Sequence, residues 1–138
     1  MITYISDNIK MPIFPKRKTT RWIYQVAKQY NKKIGTITFI FCSEDIILKM
    51  NNQYLKHDYY TDIITFDYSN ENIISGDLFV SVETVKSNAT KFNEPYIKEI
   101  YRVMIHGILH LCGAKDDTPI SKIEMKQLEN NALNQWTI

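Results

Sequence analysis

Cysteine is scarce in this chain, and its scarcity excludes one way of organising a small fold. The 138 residues carry two, Cys42 and Cys112, each inside an apolar segment. A disulfide framework is therefore not expected, and the pair reads as reduced core thiols of a cytosolic protein. Long apolar runs are missing too. No stretch approaches about 18 uninterrupted apolar residues, so no membrane-spanning helix is expected. The segment Met1–Asp7 shows no basic residues followed by an apolar run, so no secretory signal is expected either. Nor is there an excess of charge of one sign. A formal net charge of +2 is too small to make the whole surface a nucleic-acid footprint, so any phosphate-binding patch must be local and stable DNA binding is not expected. Internal repeats, linkers and low-complexity segments are absent. With 44% hydrophobic residues the chain can bury a core without staples, and residues 1–138 read as one domain.

What is present is an interleaving of strands and helices. Met1 to Ile5 suits a short edge strand, and Pro12 and Pro15 mark a loop ending in Lys16-Arg17-Lys18. Thr19 or Thr20 can cap a helix from about 21 to 33, closed by Gly35, before a strand from Thr36 to Cys42. Ser43, Glu44 and Asp45 signal a second helix with Ile46, Ile47, Met50 and Tyr54 inward. An exposed connection carrying His57 leads to strands at 61–68 and 76–82, separated by a turn at Asn70–Asn72. Ser81 can cap a helix over 83–92, and Pro95 suits the first turn of a longer helix. Thr118-Pro119 and then the capping box Ser121-x-x-Glu124 start a last helix, with Ile123, Leu128, Ala132 and Leu133 facing the core. An α/β or α+β layer architecture with a small mixed sheet follows.

The chemistry concentrates in Arg102 to Asp116. Val103 to Cys112 is apolar apart from His106, Gly107 and His110, which predicts a helix buried on almost every side. His106 and His110 stand one turn apart on one face, with Cβ atoms roughly 5–6 Å from each other. Gly113 can end the helix in the left-handed conformation, so that Asp116 returns to the same point. Two imidazoles and a carboxylate leave one tetrahedral position of a zinc-type ion open for water, as in catalytic sites. A lone buried His is more often a hydrogen-bonded core residue, but two such residues followed by a Gly turn and an acid favour the metal. Gly107 adds weight, since Gly within a helix costs about 1 kcal/mol and implies a close neighbour. Cys112 lies on another side of the helix from His106 and is the weaker ligand candidate. Asp77 either orients a ligand His from behind or satisfies backbone donors near a turn. The basic cluster Lys16, Arg17, Lys18 and Arg21 reads as a solvated loop, with phosphate contact as the alternative.

These residues also carry a resemblance. H-G-I-L-H-L-C-G at 106–113, N-x-x-Y at 51–54 with T-D-I-I-T-F at 61–66, and S-G-D-L at 75–78 occur in the order of the three motifs of the YbeY family. The resemblance implies a metal-dependent endoribonuclease of single-strand type, with one zinc-type ion per chain. It further implies an α+β fold with a central four-stranded sheet and a cytoplasmic role with the small ribosomal subunit, in maturation of its RNA and in ribosome quality control. Two positions depart from the family pattern. The usual third His ligand is Asp116 here, with Asp117 as the alternative if the turn is rotated, and the Arg that usually follows the motif tyrosine is Leu55.

Metal-assisted phosphodiester hydrolysis through His106 and His110 is thus the expected reaction. Lys98, Arg102, His106 and His110 follow at four-residue steps, a slanting stripe in which Lys98 and Arg102 can draw a phosphate towards the ligands. A non-catalytic ribosome assembly or RNA-binding factor with a structural metal is the alternative. A metallopeptidase ranks lower, because the general-base Glu of H-E-x-x-H is Gly107.

Overall fold

The computed structural model describes residues 1–52 and 61–136. Tyr54, Leu55 and His57, on which parts of the sequence reading fall, lie outside the described residues.

The elements are β1 (Ile2–Ser6), α1 (Lys16–Gln29), β2 (Lys33–Cys42), α2 (Glu44–Met50), β3 (Ile63–Asp67), β4 (Ile73–Ser81), α3 (Val82–Lys91), α4 (Tyr96–Leu111) and α5 (Pro119–Asn134). The four strands form one sheet in the order β1-β2-β4-β3. β1, β2 and β4 run parallel, and β3 closes the far edge antiparallel to β4. Among the described residues this is the mixed α+β sheet with five helices, and β1 is an edge strand as expected.

Alternation along the strands divides the core. Ile37, Phe39 and Phe41 of β2 with Ile74, Leu78 and Val80 of β4 face one way, into a core completed by α1, α3, α4 and α5. Cys42, Ile64 and the partly buried Phe66 and Phe79 face the other way, where Ile47 of α2 covers them. α4 supplies the largest share of the main core: ten of its residues are buried, from Glu99 to Leu111. Trp22 donates from Nε1 to the Ala132 carbonyl at 2.8 Å, which ties α1 to α5.

Local signals explain most boundaries. Ser43 and Ser81 accept from Ile46 N and Thr84 N, capping α2 and α3 as their sequences indicate. Three expectations need correction. α1 starts at Lys16, after Pro15, and the Thr19 hydroxyl donates to the Pro15 carbonyl one turn back instead of capping. That helix ends at Tyr30 because Asn31 takes the left-handed conformation (φ 59°), a role expected of Gly35, which lies within β2. α5 is capped by Thr118, whose side chain accepts from Ser121 N while the Ser121 hydroxyl accepts from Thr118 N, so Ser121 sits inside the helix. The inward stripe of α5 shifts accordingly. Met125, Glu129 and Ala132 are buried, whereas Ile123 is 61% exposed.

Among the described residues, no helix is long and apolar enough to cross a membrane.

Candidate metal centre

From Lys98 onward, the positions of α4 that escape full burial are Lys98, Arg102, His106 and His110. They form the stripe that four-residue spacing predicts, and α5 lies beside it. Gly107, about 100° further round the helix than His106, meets the sheet. A Cβ added there would stand 2.2 Å from Leu78 Cδ2 and 2.9 Å from Ile63 Cδ1. The missing side chain is therefore what lets β3 and β4 approach the helix that carries the histidines.

The helix end completes the group. Gly113 adopts φ +106°, and the Gly113 and Ala114 amides return to the carbonyls of His110 and Leu109. This reversal does two things. It sets the Ala114 carbonyl 3.1 Å from His110 Nδ1, and it brings Asp116 against both rings. Asp116 Oδ2 is 3.3 Å from His106 Nε2 and Oδ1 is 3.4 Å from His110 Nε2. The two Nε2 atoms are 3.1 Å apart. Asp117 points elsewhere, accepting from the Ser121 hydroxyl at 3.4 Å beside the start of α5.

These distances test whether a cation fits. Donors about 2.0–2.1 Å from a tetrahedral ion stand about 3.3–3.4 Å from one another, close to the 3.1 Å between the two Nε2 atoms and to the 3.3 and 3.4 Å from them to the two different oxygens of Asp116. The chemistry of the set agrees. His110 Nδ1 faces a carbonyl and His106 Nδ1 faces the Glu129 carboxylate at 2.6 Å, and both partners only accept. With the protons assigned to Nδ1, the neutral rings present bare Nε2 lone pairs to each other and to a carboxylate. Lone pairs of two rings and a carboxylate gathered this closely repel one another unless a proton or a metal cation lies between them. His106, His110 and Asp116 are thus placed to hold a metal ion.

The other expected residues fall on either side of this point. Leu78 and Gly76 face α4, so Asp77 between them lies on the opposite face of β4, where the Tyr68 hydroxyl is its neighbour. Asp77 therefore orients neither histidine. The carboxylate behind His106 is Glu129, overlooked in the sequence because nothing local marks a Glu in a half-polar helix as buried. Arg102 is engaged by the same group: its Nη1 is 3.1 Å from Glu129 Oε1 and its Nε 3.7 Å from Glu99 Oε1. Lys98 is exposed and paired with Glu94 at 3.3 Å. Cys112 is not in the group that gathers at the centre, and burial pushes its thiol up to about 11 despite the nearby Lys32.

His106 and Asp116 lie between two open clefts. One, of about 520 Å³, is walled by β3 and includes Thr61, Asp62, Asp67 and both histidines. The other, of about 670 Å³, runs between α4 and α5 past Lys98, Lys122, Lys126 and Phe92. Burial raises the Asp62 carboxyl above the usual range, opposed in part by His106. For His106, burial pulls downward, but the hydrogen bond and charge of Glu129, with Asp62 and Asp116, outweigh it and raise the pKa.

That shift has a sign. Without metal, the His106 proton persists to higher pH than on an ordinary histidine, and a metal must displace it. Apparent metal affinity should therefore weaken about tenfold per pH unit, for each proton displaced, as pH falls below the raised value. Metal titrations between pH 5 and 8 should show that slope; an affinity independent of pH would contradict it. The His106–Glu129 pair's contribution to the metal-free fold runs in the complementary sense. It is complete below the ordinary histidine range and is lost as pH rises through the raised value.

The fold and site together define a class: an α+β protein whose central helix presents a His–His–Asp group able to hold one cation beside an open cleft. Comparison with known proteins narrows this. A family model described as Endoribonuclease YbeY matches residues 2–137. The chain is 58% identical over 132 residues to the Endoribonuclease YbeY of Bacteroides fragilis, covering 96% of this chain and 95% of that protein. It is 56% identical to that of Phocaeicola vulgatus over 133 residues, or 96% of each chain. The solution structure of TM1509 from Thermotoga maritima superposes with a TM-score of 0.64 at 25% identity, over 99% of this chain and 91% of that one. The chain belongs to the endoribonuclease YbeY family, and the expected nuclease role stands on these relatives.

Proposed function

We propose that the chain is a single-strand-type endoribonuclease that hydrolyses RNA phosphodiesters with a zinc ion held by His106, His110 and Asp116. The observation that carries this reading is the convergence of two imidazole nitrogens 3.1 Å apart with a carboxylate whose two oxygens stand 3.3 and 3.4 Å from them, one oxygen to each ring. When bound, the ion would make a water at its open position acidic and draw charge from a phosphate oxygen.

The chain's own residues supply the rest. The Nδ1–H bonds to Glu129 and Ala114 hold the two Nε2 atoms in place. Asp62 lines the β3 cleft with the three ligands and is the carboxyl suited to exchange a proton with the attacking water or the leaving oxygen, its affinity for protons raised by burial. In the α4–α5 groove Glu94, Glu99 and Glu129 are paired with Lys98, Arg102 and His106, which makes Lys122 and Lys126 its candidates for phosphate contact, whereas the β3 cleft bears Asp62 and Asp67. Lys98 has only an exposed partner, a pairing that costs little to leave. Arg102, already held by two carboxylates, is the poorer phosphate ligand of the pair expected from the stripe.

The biological setting we assign is maturation of small-subunit ribosomal RNA and ribosome quality control in the cytoplasm, with the small subunit as partner, on the strength of family membership. The α4 position that carries the general base of a metallopeptidase is Gly107, packed against Leu78.

The test is cleavage of end-labelled single-stranded RNA by metal-loaded protein, with and without chelator, beside casein. Cleavage of RNA alone, lost with chelator and restored by zinc, is expected. In the same assay Asp62→Asn should lower kcat by about 10²-fold with KM little changed. RNA binding without metal-dependent cleavage would replace the enzyme by a binding factor. Cosedimentation with small subunits tests the partner.

A further inference from the structure

We propose that Glu129 is a positioning residue for the metal centre, locking the tautomer and orientation of His106, and that Arg102 holds Glu129 in place for that task. The inference rests on the metal-centre reading above and concerns residues that make no contact with the ion's place.

Four observations carry it. Glu129 sits on the inward stripe of α5 between Met125 and Ala132, where packing alone favours an apolar side chain. Its carboxylate is 10% exposed, and both oxygens are committed: Oε2 to His106 Nδ1 at 2.6 Å, Oε1 to Arg102 Nη1 at 3.1 Å. Arg102 is steadied in turn by Glu99, at 3.7 Å. The chain Glu99–Arg102–Glu129–His106 thus leaves α4, crosses to α5 and returns to α4 one turn further on, at the ring nitrogen opposite the one that faces Asp116.

A purely structural ion pair would need Arg102 and one Glu129 oxygen. The second oxygen serves His106. As an obligatory acceptor it keeps the proton on Nδ1, leaves Nε2 bare, and adds negative charge behind a ring that must donate its lone pair. His110 receives the same orientation from a neutral carbonyl, so the two ligands are supported unequally. Arg102 then has its function inside the protein: its charge offsets that of Glu129, and its Nη1, with Nε steadied by Glu99, fixes where the carboxylate points.

Glu129→Gln tests this, because it keeps the shape and removes the charge and the obligatory acceptor. Zinc affinity of the full chain, measured by competition with a chromophoric chelator, should weaken about 10–100-fold, and Arg102→Gln should weaken it by less. The visible spectrum of the cobalt-substituted protein should change in Glu129→Gln. In the metal-free protein, at a pH high enough for the His106 ring to be neutral, nitrogen NMR should show it as the Nδ1–H tautomer in the parent and a mixture in the variant. Met125→Ala, a truncation on the same buried stripe, separates positioning from packing: it should lower thermal stability while leaving zinc affinity unchanged.

Parental zinc affinity and an unaltered cobalt spectrum in folded Glu129→Gln would overturn the proposal and leave the metal centre standing. A parent protein that binds neither zinc nor cobalt would overturn both. Equal loss of affinity in Met125→Ala would reduce Glu129 to a packing residue.

Discussion

His110→Ala should purify as a folded protein without stoichiometric metal and cleave RNA at least on the order of a thousandfold more slowly, a loss of about 4 kcal/mol of transition-state stabilisation. The substitution removes one of three converging donors, and the remaining two, His106 Nε2 and Asp116 Oδ2, are 3.3 Å apart with nothing on α4 able to replace the third. Little of this loss is expected to come from unfolding. The His110 side chain is 30% exposed and borders the β3 cleft, so its truncation leaves no sealed cavity and should cost about 1 kcal/mol or less. The Ala114 carbonyl loses its imidazole partner but lies near enough to the surface to take up water. Elemental analysis beside thermal denaturation separates the two effects. A folded His110→Ala that retains one equivalent of metal and parental cleavage would dispose of the site.

Gly107→Val should act in the opposite way, on the fold first. A Cβ at this position already stands 2.2 Å from Leu78 Cδ2 and 2.9 Å from Ile63 Cδ1, and valine adds two methyl groups beyond it. Leu78 is fully buried, so it cannot swing out of the way without displacing its neighbours. Overpacking of this kind costs typically 1–3 kcal/mol and more for a branched side chain. Removing a helical glycine returns somewhat under 1 kcal/mol, since valine is itself a modest helix former. The net expectation is a loss of about 3 kcal/mol, which for a domain of this size lowers the melting temperature by about 10 °C. Pairing it with Leu78→Ala should recover part of the loss, because the two side chains compete for one volume. An unchanged melting temperature in the single variant would mean that the sheet does not approach α4 as closely as described. Metal content is a useful second readout, since Ile63 and the histidines share the wall of one cleft.

The contrast between these variants reflects two layers of information. Everything that depends on spacing within one element was legible from residue order. His106 and His110 share a face because a helix repeats every 3.6 residues, and Asp116 returns to them because Gly113 can take a φ of +106°. The serine caps of α2 and α3 belong to the same layer, as does the unusual cost of Gly107. The misplaced boundaries arose where two local signals competed. Thr19 resembles a cap but lies a turn inside α1, and Asn31 took the left-handed position that Gly35 also suits. At α5 two overlapping start signals stood three residues apart, and the earlier, with Pro119 in its first turn, prevailed.

Residue order alone determined the three candidate ligands, the buried helix that carries two of them and the family to which the motifs belong, because each rests on contacts a few residues apart along the chain. Only the tertiary structure decided that Glu129, 23 residues beyond His106, is the carboxylate behind that ring, that Arg102 is held by it, and that Asp77 faces away across the sheet. The physical reason is that which helix covers an exposed stripe, and which face of a strand meets it, is settled by burying apolar surface over the whole domain. A polar residue drawn inside by that packing carries no mark in its local sequence.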